Sequence, residues 1–100
     1  MSTNSIRPIV ICVFWRGDEI LVYEEFVPAD NYRFYRPFGG GTEFGERHAE
    51  AVVREIREEL NAEICNAHYL DCMEYLYRAN GRSYHEIIFI YEADFVDASF

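Results

Sequence analysis

Residues 40–62 read GGTEFGERHAEAVVREIREELNA, and the fold turns on how that stretch divides. Ala49, Val52, Val53, Ile56 and Leu60 recur at spacings of three and four and draw one apolar face. The pattern predicts an amphipathic helix over 46–60. Gly45 fits its N-cap, and Glu46 sets negative charge at the positive end of the helix dipole. Asn61 can take the left-handed conformation that ends a helix. Ahead of it, Tyr35–Phe38 is a short extended piece that stops at the glycine cluster Gly39–Gly41.

Strand patterns flank this helix on both sides. Residues 8–15, PIVICVFW, are a continuous apolar, β-branched run and predict a buried strand. Arg16-Gly17-Asp18-Glu19 supplies turn chemistry, and Ile20–Tyr23 returns as the second arm of a hairpin. Val27–Arg33 carries Pro28, Asp30 and Asn31 and reads as a loop. Beyond the helix, 63–77 is extended, Asn80-Gly81 is a hairpin turn, and 83–95 is a long strand centred on residues 87–91. The order strands, helix, strands predicts an α/β fold with a mixed sheet, one domain over residues 1–100. IVICVF and IIFIY are apolar on both faces, so a second covering layer is required. No second helix is legible before Phe100. The expectation is that a C-terminal segment completes the fold or that a second copy, in a homo-oligomer, covers the bare face.

Half of the residues are hydrophobic, enough for a single core. A formal net charge of -9 argues against duplex nucleic acid or an anionic membrane as a general partner. A small anionic substrate is compatible with it, because a bound cation reverses the local field. Every basic residue is arginine, whose planar fork suits phosphate, although codon bias explains this equally well. Cys12, Cys65 and Cys72 form no C-x-x-C pair, the first residues show no secretory pattern, and no apolar run can span a bilayer. A reduced, cytoplasmic protein is expected.

Glu55, Glu58 and Glu59 fall within about a 100° arc of the helix, bordering its apolar stripe. Helix energetics disfavour them there. Like charges at three- and four-residue spacing cost about 0.2–0.5 kcal/mol per pair. Negative charge in the last turn costs about another 0.3–1 kcal/mol per residue. A solvated acidic face relieved by Arg54 and Arg57 is the plain reading of three such glutamates, whereas a hard divalent cation would turn the cost into a gain. The surrounding spacing decides between them: Gly40, five residues, Glu46, seven residues, Arg54-Glu55-Ile56, one residue, Glu58-Glu59.

That spacing resembles the signature of the Nudix hydrolases (the MutT-like family), in which the same positions are followed by one residue, a glycine and an aliphatic. Asn61 stands at the closing glycine and Ala62 at the aliphatic; Asn is the next best residue in the left-handed conformation. The resemblance implies a mixed-sheet α/β/α sandwich, here without its C-terminal helix. It implies hydrolysis of a nucleoside diphosphate linked to another moiety, with Mg²⁺ or Mn²⁺. It further implies Glu55, Glu58 and Glu59 as metal ligands with the Gly40 carbonyl, Glu46 assisting from the helix start, and Arg54 orienting the glutamates. The general base stays unassigned. A Nudix-like module that binds a nucleotide diphosphate without cleaving it, or an inactive fragment, is the alternative; three intact glutamates favour the enzyme.

Outside the motif, Tyr35 with Tyr32 and Phe34, interleaved with Arg33 and Arg36, could stack a base and hold phosphate, or be sheet-edge aromatics. Glu86, after His85, could add a ligand or base, its plainer reading being an exposed strand-end pair. His48 shares the glutamates' arc and reads first as a surface histidine.

Overall fold

The computed structural model describes residues 4–100. Strand β1 (Ile6–Val13) is central in a four-stranded sheet, between β6 (Phe38–Gly41), antiparallel to it, and β8 (Arg82–Phe95), parallel to it. The outer neighbour of β8 is β7 (Ile64–Ala79), antiparallel through the Asn80-Gly81 turn. One parallel pair among antiparallel ones makes the sheet mixed, as expected. Helix α1 (His48–Leu60) packs on one face of it. The core there is Val10, Cys12 and Phe14 of β1 and its continuation, Tyr91 and Ala93 of β8, and Ala51, Val52 and Ile56 of α1. Val53 and Leu60 pack at its margin.

The helix differs from the expectation at its start. It begins at His48 with Arg47 as the capping residue, not at Glu46 with Gly45. Glu46 is taken up closing a turn: its backbone N–H donates to the Glu43 carbonyl, and its carboxylate accepts from the Glu43 N–H. Gly45, at φ +85°, serves that turn. An arginine side chain has no acceptor, so only half of a capping box forms, with the Glu50 carboxylate accepting from the Arg47 N–H at 3.1 Å. Ala49 is exposed and Ala51 takes its place in the buried stripe. Asn61 ends the helix at φ 52°, as the sequence required.

Three strand assignments are corrected. The glycine run does not end a strand; Gly39–Gly41 belong to β6 and pair with Ile9–Ile11. The predicted hairpin shrinks to stubs, β2 (Trp15–Arg16) and β3 (Glu19–Ile20), because β1 pairs with β6 and β8 instead. The supposed loop 27–33 is the tip of a second hairpin, β4 (Tyr23–Val27) with β5 (Tyr32–Arg36), joined by a short 3₁₀ turn at Pro28–Asp30.

That hairpin supplies the missing layer. It leaves the sheet just before β6, and its tip reaches the β7–β8 turn, where the Asp30 carboxylate accepts from the Asn80 N–H at 3.2 Å. Those points are opposite corners of the sheet, so the hairpin runs diagonally across the face that α1 does not cover. Ile9, Val13 and Ile88 on that face are 3%, 9% and 9% exposed. The face is covered by strands rather than by a helix, and α1 is the sole α-helix among the described residues.

Candidate functional site

Gly40 makes the site possible by lacking a side chain. A Cβ built there would lie 2.5 Å from Oε2 and 2.6 Å from Cδ of Glu55, so the Glu55 carboxylate occupies that space. Gly39 lets β6 lie close along β1: its Cβ would stand 1.9 Å from the Val10 carbonyl oxygen. The β6 backbone thus lies against the glutamate face of α1.

Arg54 ties the loop to the helix. Its Nε and Nη2 donate to the two Glu46 oxygens at 2.7 and 2.9 Å, and Nη2 also donates to the Gly41 carbonyl at 2.9 Å. Its Nη1 donates to Glu55 at 3.0 Å and Glu58 at 3.2 Å, with Glu43 3.7 Å away. The Arg54 guanidinium, helped by the Glu43 N–H, holds the Glu46 carboxyl below the usual carboxylate range. The same contact with Glu46 raises the pKa of Arg54.

Glu59 lies beside Glu55 and the Gly39 N–H, with Arg36 near. Loss of hydration, then the negative charge of Glu55, pushes its pKa up; the Gly39 N–H and Arg36 oppose the shift. Glu43, Glu46, Glu55 and Glu58 therefore surround one guanidinium, and Glu59 lies beside Glu55. Two carboxylates pressed together beside a backbone strand are a donor set for a hard cation, and the residues fit one. Among the described residues no three ligating side chains are already gathered at metal distance. Glu55 and Glu59 are adjacent, and Glu58, more exposed, points at Arg54.

Of the other candidates, Arg36 comes to Glu59 and to Tyr77. Arg33 and Tyr35 lie on the outer face of the β4–β5 hairpin, both bonded to Glu24. Tyr32 and Phe34 stack on the inner side, ring centroids 5.7 Å apart. Glu86 is 5% exposed, not a surface strand-end residue: it accepts from the Tyr77 hydroxyl at 3.2 Å and faces Arg7 at 3.9 Å. Its neighbour His85 turns the other way, to Glu74. Burial, then the Glu86 charge, pushes the Tyr77 pKa up to about 12. His48 stacks on Phe89 (4.3 Å, 6°) and meets the Tyr91 hydroxyl, which pins the start of α1 to β8. Sequence reasoning missed Arg7, Tyr77 and Glu43. The first two depend on the β1–β8 and β7–β8 registers, which no local pattern discloses; Glu43 carried a signal, three residues before Glu46.

The chain is similar to known proteins. Over 67 residues the chain is 37% identical to the NAD-capped RNA hydrolase NudC of Pseudomonas aeruginosa, covering 65% of this chain and 23% of that one. It is 36% identical over 69 residues to the NudC of Pseudomonas putida, covering 69% of this chain and 24% of that protein. The chain thus spans about a quarter of the length of the curated relatives it matches. Among solved structures, a MutT NUDIX hydrolase from Burkholderia pseudomallei superposes with a TM-score of 0.75 at 26% identity, over 92% of this chain and 70% of that one. An ADP compounds hydrolase shares the fold, with a TM-score of 0.64 at 21% identity, over 91% of this chain and 47% of that one. The family profile of the NUDIX domain matches residues 5–98. So little of the chain falls outside that match that the protein belongs to the Nudix hydrolase family.

Proposed function

We propose that this protein hydrolyses the phosphoanhydride bond of a nucleoside diphosphate linked to another moiety, using a divalent cation, Mg²⁺ or Mn²⁺. The observation that carries this reading is the Glu55–Glu59 pair lodged against Gly39 and Gly40. Like charges held together at a helix C-terminus are costly without a cation, and oxygen donors there suit a hard one. Glu55, Glu59 and Glu58 would hold it with the Gly40 carbonyl. When bound, the cation neutralises charge on the diphosphate and lowers the pKa of an attacking water. Arg54, already bonded to Glu55 and Glu58, positions the ligands, and Glu46 fixes Arg54. Arg36, beside Glu59, is placed to meet a phosphate.

The relatives' names share an ADP half: NAD-capped RNA in one, ADP compounds in the other. A free ADP derivative suits this chain better than capped RNA, because a net charge of -9 disfavours a polynucleotide tail. Three free cysteines fit work in the reducing cytoplasm.

A screen of nucleoside diphosphate derivatives with Mg²⁺ or Mn²⁺, read as phosphate release through a coupled phosphatase, tests the reading. Turnover should require the metal and disappear in Glu58→Gln/Glu59→Gln while circular dichroism keeps the helix. Full hydrolysis by that double variant would remove both residues from the mechanism. Binding of the nucleotides without turnover in the wild type would instead make the protein a recognition module.

A further inference from the structure

The outer strand β7 is a feature that the hydrolytic site does not use. It is 16 residues long, it forms one edge of the sheet, and residues 65–76 are all exposed. Soluble proteins blunt such edges with lysine, proline, bulges or a covering segment. β7 contains neither lysine nor proline. Its two register shifts against β8 fall before Asp71, so Asp71–Ala79 is a regular, unblocked strand. That stretch exposes Met73 (44%), Tyr75 (46%) and Leu76 (67%).

We infer that Met73–Ala79 pairs antiparallel with the same segment of a second copy, about a two-fold axis through Leu76, joining two sheets into one. Paired residues in a sheet must point to the same face, and side chains alternate along a strand. A two-fold axis normal to the sheet must therefore pass through a residue, not between two. Charge then selects which residue. An axis at Glu74 sets two glutamates opposite each other. The axis at Leu76 sets Glu74 opposite Arg78 of the other copy, twice per dimer, and Tyr75 opposite Tyr77. Within one chain Tyr75 and Tyr77 already meet edge to face at 5.0 Å, and Tyr77 stacks on Tyr84 at 4.9 Å. The pairing extends that row across the axis, and cross-strand aromatic and opposite-charge pairs are what stabilise adjacent strands.

The test is sedimentation at tens of micromolar protein in about 0.15 M salt, where the screening length is about 8 Å and long-range repulsion between acidic copies is damped. Wild type should sediment as a dimer. Glu74→Arg and Arg78→Glu each set like charges opposite one another twice and should raise the dimer dissociation constant by about tenfold or more. The swap Glu74→Arg/Arg78→Glu should restore the dimer, and none of these variants should alter metal-dependent hydrolysis. Leu76→Lys, which sets two ammonium groups on the axis, should be monomeric while keeping the wild-type circular dichroism. A monomeric wild type overturns the inference. So does a dimer that is indifferent to both single reversals, or a charge swap that fails to recover association in a folded protein.

Discussion

Two neighbouring glycines in β6 do different work. At Gly39 an added methyl would meet the backbone of β1, which cannot move without parting the sheet. Gly39→Ala should therefore cost roughly 3 kcal/mol or more. At Gly40 the obstacle is the end of the Glu55 side chain, which can swing away. Gly40→Ala should cost only about 1 kcal/mol yet lower hydrolysis about 10–100-fold, as loss of a positioning contact does. Melting temperatures and turnover measured on the pair check this. Equal effects of the two variants on stability would contradict it. Cys12 makes a separate prediction. It is wholly buried, and burial, then the Glu92 charge, pushes its pKa from 9.0 up to about 12. The folded state thus holds its proton where the unfolded chain has lost it. The contribution to stability is complete below about 9 and is lost as the pH rises from there through about 12. Native protein at mild alkaline pH should accept two iodoacetamide labels, on the exposed Cys65 and Cys72, and a third only in denaturant. A native Cys12 adduct would show that the thiol is reached without unfolding.

At the scale of the element, α1 was legible because its apolar spacing and its acidic spacing are both local. Its first residues were misread because Glu46 is claimed by Glu43 and Arg54, a contact across a loop that overrides a good N-terminal position. β6 was illegible for a related reason. Three glycines have low strand propensity, and only the close approach of Glu55 and Val10 explains why they are extended there. The helix itself carries the cost of the site. Glu59→Gln removes one of two adjacent carboxylates, so the metal-free protein should gain about 0.5 kcal/mol. Excess Mg²⁺ should reverse the order, since the wild type alone keeps the full ligand set and is stabilised by binding. Thermal melts in EDTA and in Mg²⁺ decide it, and a destabilised metal-free variant would mean that Glu59 stabilises the helix by a contact of its own.

For the whole molecule, the mixed sheet, the helix on one face and the need for a second layer are legible in the sequence; the hairpin across the other face is not. Its residues, Tyr23–Val27 and Tyr32–Arg36, mix charged and aromatic side chains, and Pro28, Asp30 and Asn31 read as loop although they only turn its tip. What identifies the hairpin as a layer is the bond from Asn80 to Asp30, far away in sequence. Asp30→Ala should release that tip at a cost of about 1 kcal/mol. Hydrogen exchange should quicken in β4 and β5 while α1 amides stay protected. Unchanged exchange in the hairpin would mean that its packing, not this tether, holds it down.

The parallel pairing of β1 with β8 also dictates when this protein can form. Ile9 has Ile88 as its partner, so the middle strand of the sheet waits until the segment holding β8 has left the ribosome. A topology dominated by such distant contacts folds in the slow range for small domains, since loop closure precedes any reward. During that wait the segment IVICVF, whose local partner is β6 alone, keeps one bare, strongly apolar edge, the kind that recruits other nascent chains. Expression at lower temperature, or with a chaperone that shields early strands, is therefore the lever on soluble yield.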